Sequence, residues 1–215
     1  LDLSETNVAG DSLYGSTVQL EKLEALNLFY CMQLTNTGLC VFLSMCGPKL
    51  KYLDLSATNV SGDSLVGSTV QLENLETLIL SSCDNLTNSG LCAFLSMCGP
   101  KLIRLDLSYT NVSGDSLYGS TVQLEKLEAL ILNRCTQLTN SGLCAFLSMC
   151  GPKLNYLSLK STNVSGDSLV GSTVQLEKLE TLILFYCKQL TDSGLCALLS
   201  MCGPKLRCLD LSETK

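Results

Sequence analysis

Residues 179–199 read LETLILFYCKQLTDSGLCALL, and this stretch decides the fold because the chain contains a version of it four times. The copies are spaced 52 residues apart and begin at Leu23, Leu75, Leu127 and Leu179. Each opens with the frame LxxLxL, whose fourth and sixth residues point to one face of a strand. In the second copy, Thr87 or Asn88 can cap a helix, and Leu91, Leu95 and Cys98 share one helical face. The stretch therefore predicts a short strand followed by a helix.

A shorter unit lies between these copies and opens with the same frame, at Leu50, Leu102 and Leu154. The long unit has 27 residues and ends in GPK, where a pair such as Gly99-Pro100 stops the helix. The short unit has 25 residues, and its SGDSLxGS segment predicts a loop or a turn or two of helix. We interpret residues 1–215 as a single domain of seven complete units, with partial units at both ends and no evident caps.

One strand per unit predicts a stacked array, because a single unit cannot bury its leucines alone. Unequal segments behind regular strands make such a stack curve. We therefore expect an α/β fold, namely a curved solenoid with a parallel concave β-sheet and with helices or loops on its convex side.

The long unit matches the pattern LxxLxLxxCxxLTDxGLxxL, as residues 179–199 show. It resembles the cysteine-containing subclass of the leucine-rich repeat family, which is known from the substrate-binding domains of F-box proteins. The short unit departs from this pattern, because threonine stands where the subclass has cysteine. The resemblance implies that this position faces the core and bonds neighbouring backbone groups. The expected ladder comprises Cys31, Thr58, Cys83, Thr110, Cys135, Thr162 and Cys187.

Twelve of the 13 cysteines occupy three positions of the long unit, with spacings C-x8-C and C-x5-C. Zinc sites commonly use closer pairs together with histidine, which this chain lacks. Equivalent cysteines lie two strand spacings apart, about 9–10 Å, whereas a disulfide needs Cα atoms within about 7 Å. We expect buried, reduced cysteines with no metal and no cofactor, while Cys208 faces out of a strand.

The positions flanking the core leucines differ between units, whereas phrases such as STVQLE and LSMCGPKL do not. Exposed Tyr, Phe and Arg are residue types that dominate binding energy at protein interfaces. The candidate ligand-binding residues on the concave face are Phe29, Tyr30, Tyr52, Arg104, Tyr109, Arg134, Tyr156, Phe185 and Tyr186. Drift at exposed positions is the other explanation of this variation.

These features predict a non-enzymatic scaffold that binds a protein or peptide on the concave sheet. The alternative is a structural, engineered or consensus-like array whose main behaviour is head-to-tail self-association, since both ends carry LDLSET in the same register.

Other functions are disfavoured by composition. A net charge of −6 opposes nucleic-acid binding, and the absence of histidine excludes a Ser-His-Asp triad. An aspartate column of the same sheet, spaced about 9–10 Å, is unlike a catalytic carboxylate pair; it comprises Asp2, Asp54, Asp106 and Asp210.

No apolar run reaches the roughly 18 residues that a membrane span needs. Reduced cysteines and the lack of a signal peptide favour a cytoplasmic location. Four glycosylation sequons, at Asn59, Asn85, Asn111 and Asn163, count against that location.

Overall fold

Eight strands of three residues form one parallel sheet in the computed structural model, which describes residues 1–98 and 100–214. The strands follow one another in chain order and pair in register, third position with third and fifth with fifth. They are β1 (Ala25–Asn27), β2 (Tyr52–Asp54), β3 (Thr77–Ile79), β4 (Arg104–Asp106), β5 (Ala129–Ile131), β6 (Tyr156–Ser158), β7 (Thr181–Ile183) and β8 (Cys208–Asp210). The predicted α/β repeat fold with a parallel sheet is confirmed.

The frame LxxLxL produces these strands because its two inner leucines reach the same core. The central strand residue is fully buried in β1 to β7, and in β2 and β3 the residues on either side of it are partly exposed. The next leucine, Leu55 or Leu80, lies just past the strand and is also fully buried. One face of the sheet therefore closes the core, and the other is open to solvent.

Each long unit carries a helix of ten residues behind its strand. The helices are α1 (Asn36–Met45), α2 (Asn88–Met97), α3 (Asn140–Met149) and α4 (Asp192–Met201). The cap of α2 is Thr87, whose hydroxyl accepts a hydrogen bond from the Gly90 N–H. Leu91, Leu95 and Cys98 are buried as predicted. The predicted stop at Gly99-Pro100 includes a residue outside the described ranges.

Each short unit replaces the helix by one turn of 3₁₀-helix, which agrees with the expected turn. These turns are η1 (Asp11–Leu13), η2 (Asp63–Leu65), η3 (Asp115–Leu117) and η4 (Asp167–Leu169). The backbone around Gly114 runs directly against Gly142 at the start of α3. Long and short units can therefore stack closely on the helix side.

Side chains also join the units on the helix side. The Thr139 hydroxyl donates to the Asp115 carboxylate of the preceding short unit at 2.5 Å. Asn140 in turn accepts hydrogen bonds from the N–H groups of Ser165 and Gly166 in the following short unit, at 2.9 and 3.0 Å. The starts of α1, α2 and α3 are bonded in this way to both of their neighbours.

The ninth residue of the long unit is a buried cysteine, and it lies beside the threonine at the ninth position of the preceding short unit. The Cys83 thiol donates to the Leu55 carbonyl at 3.1 Å, and the Thr58 hydroxyl donates to the same carbonyl at 2.7 Å. The sulfur of Cys83 and the hydroxyl oxygen of Thr58 are 3.6 Å apart. The same arrangement recurs in the later pairs, which are Thr110 with Cys135 and Thr162 with Cys187; Cys31 pairs with Thr6.

The cysteines on the helices are less buried than the sequence suggested. Cys92 is half-buried, and Cys196 is exposed. The Cys92 thiol points along the surface of α2, where it lies 3.3 Å from the Ser116 hydroxyl of the next short unit. The expectation of buried cysteines is therefore wrong for this position, because the adjacent 3₁₀ turn covers the helix only in part. At the third cysteine position it holds for Cys98, whereas Cys46, Cys150 and Cys202 are partly exposed. Cys208 is exposed on β8, as expected.

Candidate binding surface on the open side of the sheet

The nine candidate residues fall into two rows. Tyr52, Arg104 and Tyr156 are the first residues of β2, β4 and β6, and we call them the strand row. The others lie just past the strands and form the turn row: Phe29, Tyr30, Tyr109, Arg134, Phe185 and Tyr186. These six residues were expected on the concave face of the sheet, but they lie in turns because each strand ends at the fifth position of its unit.

A left-handed residue creates the turn row. The eighth residue of each unit has a backbone φ between 54° and 60°. For residues other than glycine this conformation costs about 1–2 kcal/mol. It persists in the stack because the backbone N–H of the eighth residue donates to the next unit: Tyr109 N–H bonds Asn133 O at 2.7 Å, and Arg134 N–H bonds Lys160 O at 2.7 Å. The backbone is held without help from the side chain, which is free to vary.

The aspartate column belongs to these turns. The Asp106 carboxylate accepts the Ser108 N–H at 3.0 Å and lies 3.4 Å from the Arg104 guanidinium. The Asp54 carboxylate accepts the Tyr52 hydroxyl at 3.1 Å. Burial, with a further contribution from Asp54, raises the pKa of Tyr52. These carboxylates contact Tyr52 and Arg104 of the strand row. Within residues 1–98 and 100–214, no group of three or more Cys, Asp or Glu is arranged to hold a metal ion.

The turn row contains two aromatic patches. Near the start, the Phe29 and Tyr30 rings are 6.0 Å apart. Near the other end, the Phe185 and Tyr186 rings are 6.2 Å apart. Tyr30 and Tyr186 are about half exposed, at 53% and 49%. Both patches therefore offer flat apolar surface together with a hydroxyl group.

Cations join the second patch. The Arg134 guanidinium lies 5.3 Å from the centre of the Tyr109 ring. The Lys160 ammonium lies 4.9 Å from the Phe185 ring, and the Lys188 ammonium lies 4.5 Å from the Tyr186 ring. Sequence reasoning missed the two lysines as site residues. Lys160 occupies the seventh position of a short unit and Lys188 the tenth position of a long unit, and the variation of both positions between copies could have indicated them.

A cleft of about 690 Å³ opens within this second patch. It is lined by Arg134, Thr136, Ser161, Asn163, Phe185, Tyr186, Lys188 and Glu213. Its walls combine aromatic rings with charged groups, so it suits a partner that is both apolar and charged.

The buried thiols do not offer reactive chemistry to this surface. Burial raises the pKa of Cys83 and of Cys135 to about 11, and that of Cys98 to about 12. The thiolate is the nucleophilic and metal-binding form of cysteine. These groups therefore stay protonated and act as hydrogen-bond donors at neutral pH.

Comparison with known proteins agrees with this architecture. The Leucine Rich repeat family profile matches residues 71–95 and 175–199, each of which runs from the end of a short unit into the helix of a long unit. The chain is a leucine-rich repeat protein. The cysteine at the ninth position of each long unit places this leucine-rich repeat protein in the cysteine-containing subclass.

Two relatives match this chain over only part of their own length. The chain is 31% identical to F-box/LRR-repeat protein 4 of Bos taurus over 175 residues, which are 81% of this chain and 24% of that protein. It is 30% identical to Antagonist of mitotic exit network protein 1 of Eremothecium gossypii over 107 residues, which are 48% of this chain and 27% of that protein. The repeats thus span about a quarter of each relative's length. Within the described residues, no helix has the length and apolar character to cross a bilayer.

Proposed function

We propose that this leucine-rich repeat protein is a non-enzymatic scaffold that binds a protein or peptide across the strand row and the turn row. The observation that carries the proposal is the contrast between a fixed backbone and varied side chains. The left-handed turn is bonded to the next unit through its backbone N–H, with N to O distances of 2.7–2.9 Å whatever the side chain. Aromatic and arginine side chains then occupy the free positions, and these residue types dominate interface energetics.

The dimensions of the surface suit an extended segment. Six strand spacings separate β1 from β7, which is roughly 29 Å at about 4.8 Å per strand. An extended peptide covers that distance with about nine residues. Such a segment would reach from the Phe29–Tyr30 patch to the Phe185–Tyr186 patch.

The cysteines support a reducing compartment for this scaffold. All the cysteines of the chain are free thiols, and those of the frame donate hydrogen bonds that a disulfide would remove. We therefore favour the cytoplasm as the place where it works. Measurement of free thiols in protein from its native cells tests this inference, and extensive oxidation would contradict it.

Selection from a displayed peptide library tests the binding function. Peptides selected on the wild-type chain are measured against the variant Tyr52→Ala/Tyr156→Ala, which alters the strand row. The matched control is Tyr14→Ala/Tyr118→Ala on the helix side, where the side chains are 79% and 81% exposed. We expect the strand-row variant to weaken binding at least about tenfold, or about 1.4 kcal/mol, and the control to keep its affinity.

The opposite pattern would contradict the proposal, as would failure to select any peptide. Circular dichroism of both variants shows whether the fold is kept. The strand-row tyrosines are only partly exposed, so this control matters for them more than for the helix-side pair.

Self-association of the sheet ends stays a prediction. Leu1 and Leu209 are exposed by 49% and 39%. Light scattering over a concentration series tests it, because a mass of 23.1 kDa at every concentration would exclude assembly.

A further inference from the structure

The geometry points to a more specific role for one end of the turn row. We propose that a basic–aromatic patch binds an acidic, partly apolar segment of a partner protein. The patch consists of Tyr109, Arg134, Lys160, Phe185, Tyr186 and Lys188. This inference rests on the proposed binding function and names the chemistry of the partner.

The cation–aromatic contacts are concentrated in this patch. Significant contacts of this kind occur about once in 70–80 residues, so about three are expected in a chain of this size. The three that the described residues form all lie on the same edge of the sheet, within residues 109–188. They come from four successive units, so the patch is continuous across the stack.

The cations of the patch are incompletely neutralised. Among the described residues, neither Arg134 nor Lys160 has a carboxylate within 4.0 Å, whereas Lys188 lies 3.6 Å from Glu213. Hydrogen bonds from Ser212 hold the pKa of Asp210 below its usual range, and the charge of Lys160 adds to that effect. Three cations therefore face two nearby carboxylates in a chain whose net charge is −6. A partner's carboxylates would complete this arrangement.

The aromatic rings determine what the partner must be besides acidic. Each cation lies against a ring, so a carboxylate would approach it from the side away from that ring. The Phe185 and Tyr186 rings line the cleft of about 690 Å³ and offer apolar contact. Alternating acidic and apolar side chains satisfy both kinds of group.

A polyphosphate fits this surface less well. Glu213 lines the same cleft, and Asp106 and Asp210 lie on the adjoining strands. Nucleic-acid binding draws its affinity from rows of cations that face phosphates, and these carboxylates oppose it. A short protein segment places its few negative charges only where cations meet them.

The test uses a fluorescein-labelled octapeptide of alternating Glu and Leu, with fluorescence anisotropy as the readout. An octapeptide of alternating Ser and Leu measures apolar binding alone. The patch is altered by Arg134→Gln/Lys160→Gln/Lys188→Gln in the full chain. The matched control, Lys22→Gln/Lys126→Gln/Lys178→Gln, removes the same charge.

The control lysines are exposed and precede β1, β5 and β7, at the edge of the sheet opposite the turn row. Asn74 occupies the equivalent position in another short unit, so an uncharged residue is compatible with the fold there. We expect the patch variant to bind the Glu-Leu peptide at least about tenfold more weakly, since it loses three charge contacts. The control should change binding by less than about twofold, because exposed charges at that distance are screened by salt.

Three results would overturn the inference. Equal losses in the two triple variants would show attraction to net charge alone. Equal binding of the Ser-Leu peptide would show that the cations contribute nothing. Tighter binding of a twelve-residue oligothymidylate that is also lost in the patch variant would assign the patch to a polyanion.

The failure of this inference is distinguishable from the failure of the binding function. If library peptides bind through Tyr52 and Tyr156 while the Glu-Leu peptide does not bind, the inference fails and the proposed function stands. If neither kind of peptide binds, both fail.

Discussion

Replacement of Gly142 by alanine should change the free energy of unfolding through two effects that act in opposite directions. Gly142 lies in the first turn of α3, and alanine stabilises a helix by about 1 kcal/mol relative to glycine. The stacked structure acts against this gain. A Cβ atom on Gly142 would lie 1.9 Å from the Ser113 carbonyl oxygen and 3.0 Å from the Gly114 Cα, both in the preceding short unit.

The size of the penalty follows from what must move. The helix start has to shift by about 1.5 Å to reach van der Waals distance, and a close-packed interior resists this. The shift weakens the bond from the Thr139 N–H to the Ser113 carbonyl, 3.1 Å, and the bond from the Thr139 hydroxyl to Asp115. Overpacking of about 1–3 kcal/mol and two bonds of about 1 kcal/mol each exceed the helix gain. We expect a net destabilisation of about 3 kcal/mol.

Urea unfolding followed by circular dichroism measures this difference. A loss of about 3 kcal/mol lowers the urea midpoint by about 1 M or more. The control is Gly119→Ala, where φ is +75° and no atom lies within 4 Å of the added Cβ. It carries only the left-handed strain of about 1–2 kcal/mol, partly offset in the unfolded chain. A midpoint for Gly142→Ala at or above the wild-type value would refute the close approach of the two units.

The remaining predictions concern the bonds between units and the buried thiols. Cys135→Ala should destabilise the fold by about 1–2 kcal/mol in urea unfolding, because it removes a buried donor and leaves a small cavity, whereas Cys208→Ala at an exposed position should be neutral. Asn111→Asp should cost about 1–3 kcal/mol, because its amide donates to the Asp84 carbonyl at 3.0 Å; Asn7→Asp, at a position with no such bond in the described residues, should change stability little, and equal effects would contradict the role of Asn111. Stability should fall as pH rises from about 9 to about 12, because burial raises the pKa of Cys98 to about 12 from 9.0 and the unfolded chain loses that proton first; urea midpoints across this range should fall less steeply in Cys98→Ala, and parallel curves would contradict the assignment.

The strands and helices were predictable because the sequence pattern that forms them lies within one unit and recurs in its neighbours. Leu53 and Leu55 need only the parallel neighbours that the repeat supplies. The cap at Thr87 is equally local, since its hydroxyl accepts the N–H three residues later in the same unit. Sequence alone left Thr87 and Asn88 as alternatives, because both residue types can cap a helix. The structure separates them, since Asn88 bonds Ser113 and Gly114 of the next unit.

The turn row could not be predicted in the same way. Tyr109 and Arg134 adopt a left-handed conformation that glycine, asparagine and aspartate favour, so their identities do not signal a turn. The signal lies in the neighbouring unit, whose carbonyl receives the backbone N–H. Sequence reasoning therefore selected exposed or partly exposed residues for the concave face but did not show that six of them lie in turns.

Asn59 and Asn111 illustrate a pattern that has two readings. In the sequence they lie in NVS phrases, which also form glycosylation sequons. In the structure each side-chain amide donates to a carbonyl of the preceding long unit, Met32 O at 2.8 Å and Asp84 O at 3.0 Å. The repetition of this asparagine in every short unit could have indicated a stacking role. These bonds complement those of the cysteines, because asparagine links a short unit back to a long one and cysteine links a long unit back to a short one.

This division of bonds explains which positions can vary. The Thr, Asn and Cys positions join neighbouring units through side-chain hydrogen bonds, and the Gly positions allow two backbones to approach closely. A substitution at any of these positions therefore alters the contact between two units. The backbone of the turn row is bonded to the next unit through its own N–H groups, whatever side chain it carries. Exchange of its side chains therefore alters the exposed surface while the stack keeps its bonds. That property allows Phe29–Tyr30, Ser81–Ser82 and Asn133–Arg134 to occupy equivalent places in one sheet, and it is the physical basis on which this fold can present different surfaces along its length.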